Sequence, residues 1–128
     1  MADAVAMVLV VDDEADVRWA LEMILAKSGF GVATVGSGAE ALQWLGRSRC
    51  DLILLDAKLG DIDGVELARR IQSEAISRAP VILVSGYFYK DDGVIQASMA
   101  MGLIAAFATK PFRHDEILNA VQTVLSLA

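Results

Sequence analysis

Residues 5–14 read Val-Ala-Met-Val-Leu-Val-Val-Asp-Asp-Glu, an apolar run rich in β-branched side chains that halts on three consecutive carboxylates. Apolar residues at nearly every position, instead of every second one, suit a strand covered on both faces, as in a parallel sheet. The same pattern returns at residues 31–35, 52–55, 81–84 and 103–107, so the chain is read as five buried strands. Between them lie stretches with helical spacing: Val17, Leu21, Ile24 and Leu25, then Val65, Ala68 and Ile71, and last Ile117, Val121, Val124 and Leu125. Strand and helix therefore alternate, which predicts an α/β fold with a five-stranded, doubly wound parallel sheet.

The punctuation agrees. Ser28-Gly29 stops the first helix, and Ser37-Gly-Ala-Glu40 has the spacing of a capping box before the second. The third helix should begin near Gly64, and Pro80 sits where a strand can start. A fourth helix is expected over residues 91–101 with a thin stripe of Val94, Ala97 and Met101, following the aromatic run Tyr87-Phe88-Tyr89.

At 128 residues and 55% apolar composition, with a mean hydropathy of +0.50, the chain can bury one core and is expected to be a single domain, 1–128, with no output domain. A net charge of -6 and a pI near 4.6 argue against binding nucleic-acid phosphates and favour cations or basic partners. One cysteine, Cys50, allows no internal disulfide, which suits a reducing cytoplasm. The opening apolar stretch has no positive flank and is too short for a signal peptide or a bilayer span. A cytoplasmic protein without membrane attachment is expected.

In an open parallel sheet, ligands bind beyond the carboxyl ends of the strands. The residues there are Asp12 and Asp13 after the first run, Asp56 after the third, Ser85 after the fourth and Lys110-Pro111 after the fifth. Three carboxylates gathered around one lysine leave a charge of about −2, which a divalent cation would balance. Hard oxygen donors without His or Cys favour Mg2+ or Mn2+ over zinc. If the central carboxylate attacked a phosphoryl group, metal, ammonium and hydroxyl could each contact a phosphoryl oxygen.

These segments, Val-Leu-Val-Val-Asp-Asp-Glu at 8–14, Asp-Leu-Ile-Leu-Leu-Asp at 51–56, Asp63-Gly64, Val-Ile-Leu-Val-Ser-Gly at 81–86 and Ala-Thr-Lys-Pro-Phe at 108–112, resemble the receiver domains of the response-regulator family. These are the phosphoacceptor modules of two-component and phosphorelay signalling, and the resemblance covers essentially the whole chain. It implies a flavodoxin-like (βα)5 fold with strand order 2-1-3-4-5. It implies that Asp56 is phosphorylated, that Asp12, Asp13, Asp56 and the Lys58 carbonyl hold Mg2+, and that Lys110 binds a phosphoryl oxygen. By the same resemblance Ser85 is the switch hydroxyl, Phe107 the aromatic that changes rotamer, and the Lys110–Pro111 peptide is cis. Lys58 and Tyr87 stand at positions that tune the lifetime of the phosphorylated state. The expected partners are a histidine kinase or histidine phosphotransfer protein and a downstream protein target.

The usual Met-Pro after the phosphoacceptor is Leu59-Gly60 here, and Ser85 replaces the commoner threonine, keeping the hydroxyl. A rival reading is an adaptor that uses the fold only as a binding surface, independently of phosphorylation; the intact Asp12, Asp13, Asp56 and Lys110 argue against it. A flavin or nucleotide binder would need a phosphate cradle, and the acidic, glycine-free Asp-Asp-Glu-Ala-Asp connection would repel a phosphate. Trp19, Trp44, Met99 and Met101 are expected to be packing residues, His114 a solvated residue at the start of the last helix, and Cys50 to have no redox role.

Overall fold

The computed structural model describes residues 5–86 and 93–127. Among these the chain runs β1 (Met7–Val11), α1 (Ala15–Lys27), β2 (Gly31–Val35), α2 (Gly38–Leu45), β3 (Leu52–Asp56), α3 (Gly64–Ser73), β4 (Val81–Ser85), α4 (Gly93–Ala100), β5 (Ala106–Thr109) and α5 (His114–Leu127). All neighbouring strands pair in parallel, in the order β2-β1-β3-β4-β5. The order reverses at β1, so the carboxyl ends of β1 and β3 lie side by side.

Strand periodicity divides the core into two layers. Leu9, Val11, Ile53, Leu55 and Leu83 face α2, α3 and α4, meeting Leu45, Leu67, Ile71 and Ile95. Val8, Val10, Leu52, Leu54, Ile82 and Val84 face α1 and α5, meeting Leu21, Leu25, Ile117 and Val121. Because both faces of β1, β3 and β4 are covered, these strands have no polar face to show, and their uninterrupted apolar sequence follows. The helix stripes expected for α1, α3 and α5 are the ones that pack, with Val17 and Leu125 only partly buried.

Helix starts follow the side-chain chemistry. Ser37 Oγ accepts from Glu40 N–H at 3.1 Å, while the Glu40 carboxylate reaches back to Gly36 N–H, one residue before the cap. Asp63 caps α3 by accepting from Val65 and Glu66.

Several expectations need correction. The fifth strand occupies Ala106–Thr109, not 103–107. Gly102 takes a left-handed conformation, φ 76°, and turns the chain back so that Leu103 N–H and Ile104 N–H both donate to the Ser98 carbonyl. Leu103 and Ile104 are buried as the apolar seal of that turn, and burial without a ladder looks like a strand in sequence. On α4, Ile95 and Ser98 are buried, whereas Ala97 is exposed, and Met101, in the turn just past the helix, is 71% exposed; residues 91 and 92 and the Val94 side chain lie outside the described residues. Met99 is exposed too, as is Trp19 at 64% on α1, so neither serves as core. Trp44 does pack against the α2–α3 layer. His114 is exposed at the first position of α5, as expected.

Candidate functional site

Four strand ends supply the site. Asp12 follows β1 directly and Asp56 is the last residue of β3, one step beyond the register pair Val11–Leu55, so the two carboxylates are cross-strand neighbours. Both are nearly inaccessible, 1% and 6% exposed, while Asp13 is exposed. Asp12, Asp13 and Asp56 can each offer a carboxylate oxygen to one point, these oxygens lying within 4.8 Å of one another. Asp56 and Ser85 were expected just beyond their strands and are instead their final residues.

Lys110 comes from the far side. Its backbone N–H donates to the Ser85 carbonyl at 2.6 Å, which ties the end of β5 to the end of β4. From there its ammonium reaches Asp12 Oδ2 at 2.8 Å and stands 3.5 Å from both Asp56 Oδ2 and Glu14 Oε1. The Lys110–Pro111 peptide is cis, as the resemblance implied.

Other groups hold the carboxylates in place. Glu14 N–H donates to Asp12 Oδ1 at 2.8 Å, and Lys58 N–H donates to Asp56 Oδ1 at 3.2 Å. The Arg18 guanidinium donates to the Asp12 carbonyl at 2.6 Å. In the sequence Glu14 shows only as the third carboxylate of the run after β1, and Arg18 only by its position within about one helical turn of Asp12–Asp13. Residues 58–63 close into a narrow loop, with Lys58 and Asp63 bridged antiparallel and Gly64 N–H on the Ala57 carbonyl at 2.7 Å. Asp61, also unsignalled, crosses to α2 and accepts from Gly38 and Ala39 N–H at 2.9 and 3.0 Å.

The electrostatics follow from this crowding. Burial raises the Asp56 pKa, and the charge of Asp12 adds to the rise, outweighing the Lys58 N–H and Lys110. Burial works against the Lys110 ammonium, yet the hydrogen bond and charge of Asp12, helped by Asp56 and Glu14, raise its pKa overall. One ammonium among four carboxylates leaves a negative excess that a small divalent cation relieves, and an all-oxygen donor set fits Mg2+. Asp12, Asp13 and Asp56 would hold it.

Ser85 is fully buried and its Oγ donates to the Gly86 carbonyl at 3.2 Å. Phe107 is half-buried and lies opposite Leu83, two residues from Ser85 and on the same sheet face. It is the second residue of β5, not a strand end as expected. Tyr87 lies outside the described residues.

Residues 8–122 match the response regulator receiver domain family. The chain belongs to the response regulator receiver domains. This receiver is 36% identical to sporulation initiation phosphotransferase F of Bacillus subtilis over 122 residues, covering 94% of each chain. It is 29% identical to the response regulator protein TodT of Pseudomonas putida over its whole length, spanning 55% of that relative. Among solved structures it is similar to the response regulator TrrA of Thermotoga maritima in complex with Mg2+ and BeF, with 28% identity, a TM-score of 0.80, and coverage of 93% of this receiver and 98% of TrrA. Receiver domains bind Mg2+ at an acidic pocket and interact with histidine kinases or phosphotransfer proteins, and this receiver carries such a pocket. Among the described residues no helix is long and apolar enough to cross a membrane.

Proposed function

We propose that this receiver accepts a phosphoryl group on Asp56 from the phosphohistidine of a kinase or a histidine phosphotransfer protein, and passes the change to a downstream protein, in the cytoplasm and without direct nucleic-acid binding. The observation that carries the reading is the meeting of Asp12, Asp13 and Asp56 within 4.8 Å, with the Lys110 ammonium 2.8 Å from Asp12 and 3.5 Å from Asp56. In the transfer a carboxylate oxygen of Asp56 bonds to phosphorus as the phosphorus–nitrogen bond breaks, and the imidazole nitrogen leaves with the electron pair and takes a proton.

Asp12, Asp13, Asp56 and the Lys58 carbonyl would hold Mg2+, or Mn2+ in its place. When bound, the cation supplies charge stabilisation to the phosphoryl oxygens. The chain supplies the rest. Lys58 N–H fixes the nucleophile's Oδ1, so the carboxylate does not have to reorient on attack. Lys110, already shared between Asp12 and Asp56, can move onto a phosphoryl oxygen without leaving its hydrogen-bond partners. The Ser85 hydroxyl gives up its bond to the Gly86 carbonyl to donate to another phosphoryl oxygen. Phe107 shares the sheet face with Ser85 and can fill the volume that the hydroxyl leaves, giving two packings whose populations phosphorylation shifts.

The test is incubation with acetyl phosphate and Mg2+ followed by intact-mass measurement. Addition of one phosphoryl group in the native protein and none in Asp56→Asn is expected. Labelling that persists in Asp56→Asn moves the acceptor elsewhere.

A further inference from the structure

The end of the sheet opposite the carboxylate site has the reverse charge. The α2–β3 and α3–β4 connections together form a groove of about 750 Å3, and Arg47, Arg49 and Arg78 all line it. The other arginines have partners: Arg18 donates to the Asp12 carbonyl, Arg69 and Arg70 pair with Glu66 and Glu74, and Arg113 pairs with Asp115. Arg47, Arg49 and Arg78 have no side-chain hydrogen bond or ion pair among the described residues. Asp51, the one carboxylate among the described residues of the groove wall, accepts from Met7 N–H at 2.7 Å. In a chain of net charge -6, three unpartnered guanidiniums in one groove are the local exception.

The groove is also shaped. Its wall includes Leu45, Ile76 and Pro80. The turn carrying Ile76 is held by Ala75 at φ 52°, a left-handed conformation unfavourable for a non-glycine residue, and by Ile76 N–H on the Ile71 carbonyl. The opposite wall is fixed where Arg47 and Ser48 N–H both donate to the Trp44 carbonyl. Planar guanidiniums match carboxylates bidentately, and an apolar wall adds area that a bare phosphate would leave unused. The acidic remainder of the surface repels an extended polyanion such as a nucleic acid but tolerates a short segment that ends within the groove.

We propose that the Arg47–Arg49–Arg78 groove is a docking site for an acidic segment of a partner protein, with carboxylates on the guanidiniums and an apolar side chain against Leu45, Ile76 and Pro80. It lies away from the phosphorylation site, so a partner can hold the receiver here while Asp56 is modified.

The probe is a fluorescently labelled glutamate-rich peptide carrying leucine, followed by anisotropy. Saturable binding is expected, falling about tenfold or more in the triple variant Arg47→Ser, Arg49→Ser, Arg78→Ser and with rising salt. A peptide with leucine replaced by glutamine should bind more weakly. Acetyl phosphate labelling of the triple variant should match that of the native protein, which separates loss of the groove from loss of fold. Absence of saturable binding, equal binding by the triple variant, equal binding of the glutamine peptide, or tighter binding of a single-stranded oligonucleotide of equal charge would each overturn the proposal.

Discussion

Gly64, the first residue of α3, lies against the backbone of Asp56 so closely that a β-carbon at position 64 would collide with the Asp56 carbonyl oxygen and crowd the Ala57 α-carbon. The chain leaves β3 at Asp56, loops through residues 57–63 and returns to the same spot, where Gly64 N–H donates to Ala57. The carboxylate that ends the strand is therefore positioned by a helix start that passes directly over its own backbone.

Gly64→Ala should move the end of β3. Alanine is the better helix former by about 1 kcal/mol, so helix propensity alone would stabilise the variant. The collision is with backbone atoms, which cannot swing aside as a side chain can, and overpacking of this kind costs about 1–3 kcal/mol. A net loss of stability in chemical denaturation is expected, with labelling by acetyl phosphate slowed about tenfold or more through displacement of the Asp56 carboxylate. A variant as stable and as readily labelled as the native protein would refute the contact.

Asp13 is the exposed member of the acidic trio and has none of the hydrogen bonds to Lys110 and Glu14 N–H that hold Asp12. Replacing it should therefore remove a cation ligand with little structural cost. Mg2+ titration by tryptophan fluorescence or calorimetry should give one site whose affinity drops about tenfold or more in Asp13→Asn. The melting temperature without metal should change little. Unchanged Mg2+ affinity in this variant would mean that the cation does not sit among these three carboxylates.

Much of this arrangement is legible in the chain, because the covered strands β1, β3 and β4 betray themselves by apolar runs, and each of these runs leads into a residue of the candidate site. The order of the sheet was not carried by periodicity; resemblance supplied it. What escaped the reading is what local sequence does not encode. Leu103–Ile104 looked like strand because burial and β-branching are the only local signals, and nothing in them separates a ladder from the seal of a helix end. Trp19, Met99 and Met101 resemble core because large apolar side chains usually are, yet the faces of α1 and α4 that carry Trp19 and Met99, and the turn that carries Met101, are open here. Asp61 gave no sign because its partners, Gly38 and Ala39, belong to another helix and meet it only once the sheet has formed.

That remote cap leads to a prediction about pH. The N–H groups of Gly38 and Ala39 lower the Asp61 pKa below the ordinary carboxylate value. A carboxylate whose folded pKa is depressed favours the fold above its unfolded pKa, and the benefit is lost as pH falls through the folded value. Asp61→Ala should lower stability near neutral pH by about 1 kcal/mol, the usual worth of a helix cap. The gap between native protein and variant should then narrow as the solution is acidified. A gap independent of pH would mean that the charge of Asp61 contributes nothing to the cap.

Cys50 gives the opposite sign. Burial lifts its thiol from 9.0 to about 11, and the neighbouring Asp51 adds to the rise against the Leu52 N–H. The folded state thus favours the neutral thiol. Stability from this group is intact below pH 9.0 and declines as pH rises toward about 11, because the unfolded thiol ionises first. The nucleophile in alkylation is the thiolate, so at pH 8 the native protein should react with iodoacetamide about 100-fold more slowly than the urea-unfolded chain. Comparable rates in the two states would show the thiol to be open and unperturbed, and would restore Cys50 as a candidate for redox chemistry.

The Lys58 side chain is expected to prolong the phosphorylated state. Lys58 is exposed, and its own backbone N–H rests on Asp56 Oδ1, so the residue begins at the carboxylate that would carry the phosphoryl group. Hydrolysis requires a water aligned opposite the aspartyl oxygen. A lysine at this position can neither accept a proton from that water nor orient it with a carboxylate or an amide, whereas its cation can pair with phosphoryl oxygens. Lys58→Asn removes the cation and introduces an amide able to align water, so phosphate loss should accelerate by about 3–10-fold. Lys58→Met removes the cation without adding an orienting group and should accelerate loss less. Decay followed by intact mass after removal of acetyl phosphate distinguishes these outcomes, and equal rates in the native protein and both variants would mean that the Lys58 side chain takes no part in protecting the phosphoryl group.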